Sequence, residues 1–90
     1  MLAGMHEKSL IDDLMRKILL LAKDKQATAI TKVRVKLGAL SHLSKEHFKE
    51  HFDAASQGTI AQDAAIEIEE GKNIDDPDAS SIVLKTIDVY

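Results

Sequence analysis

Two short alternating runs of opposite outward charge, one on each side of a helical pattern, constrain this chain more than any other feature. In residues 30–38, ITKVRVKLG, the apolar Val33, Val35 and Leu37 alternate with Lys32, Arg34 and Lys36. In residues 64–70, AAIEIEE, Ile66 and Ile68 alternate with Glu67 and Glu69. Period-two alternation gives each run one apolar and one charged face, the pattern of a half-buried strand. One charged face is basic and the other acidic, so the two strands gain cross-strand pairs by lying side by side.

Between them the spacing predicts a helix from about Ser44 to Ser56, with Ser44 as N-cap and Gly58 just past the end. Phe48, Phe52 and Ala55 form its buried stripe. Phe48 and Phe52 are the only phenylalanines, and both read as core anchors. A strand–helix–strand unit crosses over right-handed and leaves its strands parallel. A third strand follows in SIVLKTIDVY, residues 81–90. Its phase conflicts, because Val83, Ile87 and Val89 compete with Ile82 and Leu84 for the apolar face. The loop at residues 71–81, with Gly71, Pro77 and three aspartates, returns this strand antiparallel as a short hairpin-like link.

Upstream, Ile11, Leu14, Met15, Ile18, Leu21 and Ala22 share one helical face between Ser9 and about Lys25. Asp12 and Asp13 suit a first turn, and Lys23 and Lys25 a last turn. Ser9 with Asp12 resembles a capping pair, although a start one turn earlier, near His6, fits as well. The expected fold is α+β in two layers, within the broad α/β class. Two helices cover one face of a three-stranded mixed sheet, in the order helix–strand–helix–strand–strand, with residues 1–90 as a single domain.

Composition narrows the function classes. A net charge of −3 with scattered Lys and Arg argues against nucleic-acid binding. The absence of cysteine removes disulfides, thiolate metal sites and cysteine nucleophiles. No apolar run reaches the length of a membrane span, and the N-terminus lacks the pattern of a secretory signal, so the cytoplasm is the default setting. A phosphate loop, a nucleophile elbow and an H-E-x-x-H pair are all missing, and no enzyme is expected.

Two histidine features remain. His47 and His51 lie one helical turn apart in KEHFKEHF and could chelate a transition ion. The same residue types suit a polar flank beside the phenylalanine stripe, and two ligands without a third make a weak site. The other feature is MHEKSL, Met5 to Leu10, which on residue types alone is a polar helix entrance with an incidental histidine.

Taken together, MHEKSLIDDLMRKIL, VRVKLGALSHLSKEHFKEHFDAASQGTIAQDAAIEIEE and IVLKTIDVY resemble the HypA family of hydrogenase and urease nickel-incorporation proteins, from Met5 to Tyr90. The resemblance implies a nickel metallochaperone for maturation of [NiFe] hydrogenase or another nickel enzyme. It also implies a roughly planar Ni(II) site. Met5 would supply the N-terminal amine, His6 an imidazole and a backbone nitrogen, and Glu7 a backbone nitrogen, with the Glu7 carboxylate assisting. The implied partners are a nickel-enzyme precursor, such as a hydrogenase large subunit, and a nickel-handling GTPase.

The chain departs from the family in two places. The family carries a zinc module with two Cys-x-x-Cys pairs between its second and last strands. Here residues 71–81 stand at that junction, so no zinc is expected. Residues 1–4, MLAG, form a leader ahead of Met5, which makes the Met5 nitrogen an amide rather than an amine. The ligand set is restored if Met5 begins the mature chain. The alternative function is a zinc-less interaction module that docks to a partner without transferring metal. Three strands also leave sheet edges that a second copy could pair with.

Overall fold

A computed structural model describes residues 2–41 and 43–90, with side chains in the first helix from Lys8 onward. The elements are α1 (Leu2–Asp24), β1 (Ile30–Leu37), α2 (Lys45–Ser56), β2 (Ala65–Glu70) and β3 (Ile82–Val89). Both helices pack on one face of a mixed three-stranded sheet of order β2-β1-β3. That is the expected two-layer architecture.

The central strand is β1, parallel to β2 and antiparallel to β3. The parallel pair follows from the α2 crossover. The hairpin-like link is not what forms, because β3 pairs with β1 and not with its sequence neighbour β2. The reason lies in β1: Val33, Val35 and Leu37 are all essentially inaccessible. A strand that apolar is covered best when paired on both edges. The 71–81 link therefore passes over the end of β1, held by the Gly71 N–H on the Leu37 carbonyl (2.7 Å) and the Gly38 N–H on the Ser81 carbonyl (2.9 Å).

The conflicting phase of β3 also has a structural cause. Leu84 faces Val35 and Thr86 faces Arg34, so Lys85 is an extra residue opposite β1. This bulge switches the strand's phase midway. Ile82 and Leu84 pack on the core before it, and Ile87 and Val89 after it. Val83, opposite Lys36, stays out of that core.

The first helix begins earlier than its apolar pattern suggests. It starts at Leu2, so Ser9 lies inside it and caps nothing, and Asp12 and Asp13 are not first-turn residues. They instead pair along the solvent side, Lys8–Asp12 and Arg16–Asp13 at 2.7 Å each. Such i,i+4 and i,i+3 pairs support the helix locally. Ile11, Leu14, Met15, Ile18 and Ala22 are buried as expected, but Leu21 is 36% exposed at the edge of the stripe. Lys25 falls past the helix end. There Gln26 adopts a positive φ of 56°, and the Ala27 N–H reaches the Ala22 carbonyl at 3.0 Å. This is a Schellman-type stop made without glycine.

The second helix matches its expected bounds. The Ser44 hydroxyl accepts from the His47 N–H at 3.1 Å, and Gly58 follows the helix with φ 76°. Phe48 and Phe52 are fully buried and stacked, with ring centroids 6.0 Å apart. Each contributes about 1.5–3 kcal/mol of burial. Ala55 packs at the margin of the same core.

Candidate metal centre

Residues 8–12 of α1 lie alongside α2. Ile11 and Leu14 anchor the helix in the core. Beside them Lys8, Ile11 and Asp12 of α1 face His51, Ala54 and Ala55 of α2 across a shallow groove. Met5, His6 and Glu7 fall within the bounds of α1, immediately before this packed portion. Their side chains lie outside the described residues, so the expected nickel ligands have no side-chain geometry to report.

His47 and His51 occupy one side of α2. Their ring centroids are 5.6 Å apart with planes inclined at 61°. His47 is exposed and His51 half-buried at the groove. Among the described residues no group of three or more His, Cys, Asp or Glu side chains is placed to hold a metal ion. Asp12 shares the groove with His51, but its carboxylate is taken up by Lys8.

The zinc expected of the family does not fit this chain. It has no cysteine, and residues 71–81 are occupied with closing the fold. Asn73 and Asp76 side chains accept from the Asp75 and Asp78 N–H groups, each at 2.9 Å. The Leu40 N–H donates to the Ala79 carbonyl at 2.6 Å, and Ala79 is buried. Gly38 is what permits this approach: a Cβ there would collide with the Ala79 carbonyl. Only the contact partner reveals that role, so no sequence signal was present to find it.

The open face of the sheet carries the paired charges read from the alternation. Glu67 meets Lys32 at 2.6 Å and Arg34 at 3.3 Å, and Arg34 also meets Asp88 at 3.1 Å. Lys32, followed by Arg34, holds the Glu67 carboxyl below the usual carboxylate range. The hydrogen bond to Asp88 raises the Arg34 guanidinium further above its ordinary value; desolvation opposes it, and the charges of Asp88 and Glu67 add to the rise. A carboxylate kept ionised between cations is a poor proton donor, so this face is a structural ion-pair lattice and not an acid–base site.

Comparison with known proteins bears on the same segments. The sequence model of a family described as "Hydrogenase/urease nickel incorporation, metallochaperone, hypA" matches residues 5–74. A hydrogenase maturation factor HypA of Archaeoglobus fulgidus is 42% identical over 64 residues, covering 71% of this chain and 58% of the relative. The corresponding protein of Methylocella silvestris is 34% identical over 65 residues, 72% of this chain and 58% of the relative. The chain thus spans little more than half the length of these curated relatives. In fold it is similar to the solution structure of the nickel metallochaperone HypA from Helicobacter pylori. The TM-score there is 0.74 at 19% identity, over 92% of this chain and 96% of the other.

Proposed function

This chain belongs to the HypA family of hydrogenase/urease nickel-incorporation metallochaperones, and from that premise we propose that it carries Ni(II) as cargo on Met5, His6 and Glu7. The observation behind this reading is that the family match begins at Met5 and so takes in the Met-His-Glu segment. A planar field of nitrogen ligands favours Ni(II) over ions that prefer tetrahedral or oxygen-rich sites. In the proposed set Met5 gives its terminal nitrogen when the chain begins there. His6 gives an imidazole and a backbone nitrogen, and Glu7 a backbone nitrogen, with its carboxylate orienting the assembly.

All three residues fall in α1, and a backbone nitrogen bound to metal cannot also donate to a helical carbonyl. In a chain that begins at Met5 these nitrogens are among the first four N–H groups of the helix, which have no carbonyl to donate to, so nickel capture there breaks no helical hydrogen bond. With residues 1–4 present it would unwind α1 as far as Glu7. The helix beyond stays in place, because Ile11 and Leu14 hold it in the core. The cargo passes by direct contact to a nickel-enzyme precursor such as a hydrogenase large subunit, with a nickel-handling GTPase as partner, in the cytoplasm.

Calorimetry with Ni(II) tests the ligand set on the full chain and on a chain beginning at Met5, each with and without His6→Ala. Binding should depend on His6 and be tighter when Met5 carries a free amine. Equal binding by the His6→Ala chain overturns the assignment. A second reading is favoured by the four residues that make the Met5 nitrogen a peptide amide. In it the domain docks to a partner without carrying metal. Nickel binding of about micromolar strength or tighter by the full chain, residues 1–4 included, overturns that second reading.

A further inference from the structure

We propose that His47 and His51 form a second, exposed chelate for a late first-row divalent transition ion, separate from the Met5–Glu7 segment. The spacing is built into α2. Ser44 caps the helix, and Phe48, between the two histidines, is fully buried with Phe52, which fixes the helix rotation. The backbone positions of the two imidazoles are therefore set before any metal arrives.

The ring separation suits one shared ion. A metal about 2.0–2.1 Å from an imidazole nitrogen sits roughly 3.2 Å from the ring centroid, so two rings on one tetrahedral ion have centroids about 5.2 Å apart, and two cis rings on an octahedral ion about 4.5 Å. The observed 5.6 Å lies a few tenths of an ångström from the first and about one ångström from the second. Side-chain rotation absorbs either difference, since His47 is exposed and His51 only half-buried. Among the described residues neither imidazole is engaged in a side-chain hydrogen bond or ion pair that a metal would have to break.

Two imidazoles leave the other coordination positions to water or to an incoming donor. The chelate is therefore weak and open to exchange. The choice of ion rests on imidazole chemistry, which serves Ni(II), Cu(II) and Zn(II) alike, and does not depend on the Met5–Glu7 reading.

The test is an NMR titration of the whole chain carrying His6→Ala, with Ni(II) as paramagnetic probe. Line broadening should centre on α2 around residues 47–54 and disappear in chains that also carry His47→Ala or His51→Ala. His47 is exposed, so His47→Ala keeps the test valid if His51→Ala impairs folding. Broadening that is absent from α2, or that survives both substitutions, overturns the proposal. A chain that begins at Met5, with His6 intact and both α2 histidines replaced, reports separately on the N-terminal site. Loss of nickel there would count against the Met5–Glu7 set and not against the chelate.

Discussion

Replacing Gly38 by alanine should destabilise the fold at the junction where the family carries its zinc module. The added Cβ would collide with the Ala79 carbonyl and come within 2.5 Å of the Asp78 carbonyl oxygen. Both neighbours are backbone, so no side chain can rotate away and the 71–81 strap must lift. Lifting it breaks the Gly38–Ser81 and Leu40–Ala79 backbone bonds, each contributing about 1 kcal/mol. It also re-exposes the buried Ala79 methyl, about 0.8 kcal/mol more. Alanine's stiffer unfolded chain offsets about 0.7 kcal/mol. The net loss is roughly 2 kcal/mol, which for a domain of this size lowers Tm by about 8–16 °C. Thermal unfolding followed by circular dichroism gives the shift, and hydrogen exchange at the Leu40 amide locates it. A Tm within about 3 °C of the parent with Leu40 still protected would refute the reasoning. Gly58 offers the contrast: nothing lies within 4 Å of its missing Cβ, and only its positive φ of 76° favours glycine.

Three further substitutions probe other levels of the fold. Phe48→Ala should cost about 3–5 kcal/mol by opening a cavity beneath Phe52, read as a large fall in the urea midpoint. Ser44→Ala removes the acceptor for the His47 N–H and should cost about 1 kcal/mol, with the urea slope unchanged. Glu67→Gln probes pH dependence. The folded-state pKa of Glu67 lies below its unfolded value, so the native state binds fewer protons. Its stabilising effect is present above the ordinary carboxylate range and lost as pH falls through the folded value. Glu67→Gln should therefore lose stability less steeply on acidification, and an acid limb identical to the parent's would contradict the pairing with Lys32.

The sequence disclosed those parts of the fold where a local signal and a tertiary need coincide. The alternation in β1 and β2 carried both the strand assignment and the charge pairing, because Lys32, Arg34 and Glu67 sit on the face that alternation exposes. The cap and stripe of α2 were legible for the same reason. The rest depended on partners distant in sequence. An apolar count along β3 cannot locate the bulge at Lys85, which exists only relative to β1. The pairing of β3 with β1 rather than β2 follows from how thoroughly β1 must be covered, a property of the assembled core. The end of α1 lies within one residue of the expected Lys25, but the way it stops has no sequence mark, because Gln26 occupies a left-handed position usually marked by glycine. At the candidate site, His6 alone has a distinctive residue type. The other proposed ligands are backbone nitrogens, which every residue has, so only the family's ordered motifs brought the segment forward.

That difference in ligand type predicts how each metal site couples to folding. The proposed Met5–Glu7 set lies within three consecutive residues, ahead of Ile11, the first buried apolar residue among those described. An unfolded chain can assemble it as readily as a folded one. A ligand bound equally by both states leaves stability unchanged, however tightly it binds. The His47–His51 chelate instead needs the helical turn that holds its rings 5.6 Å apart, so the folded state binds better. At a metal concentration ten times its Kd, folded-state binding adds about 1.4 kcal/mol, a rise in Tm of roughly 6–11 °C. A chain beginning at Met5 with both α2 histidines replaced should therefore bind Ni(II) with little change in Tm. The chain with His6→Ala and an intact α2 should melt higher as Ni(II) is added. A large Tm rise in the first chain would mean that its nickel site draws on residues brought together by the fold, and the three-residue ligand set would be wrong.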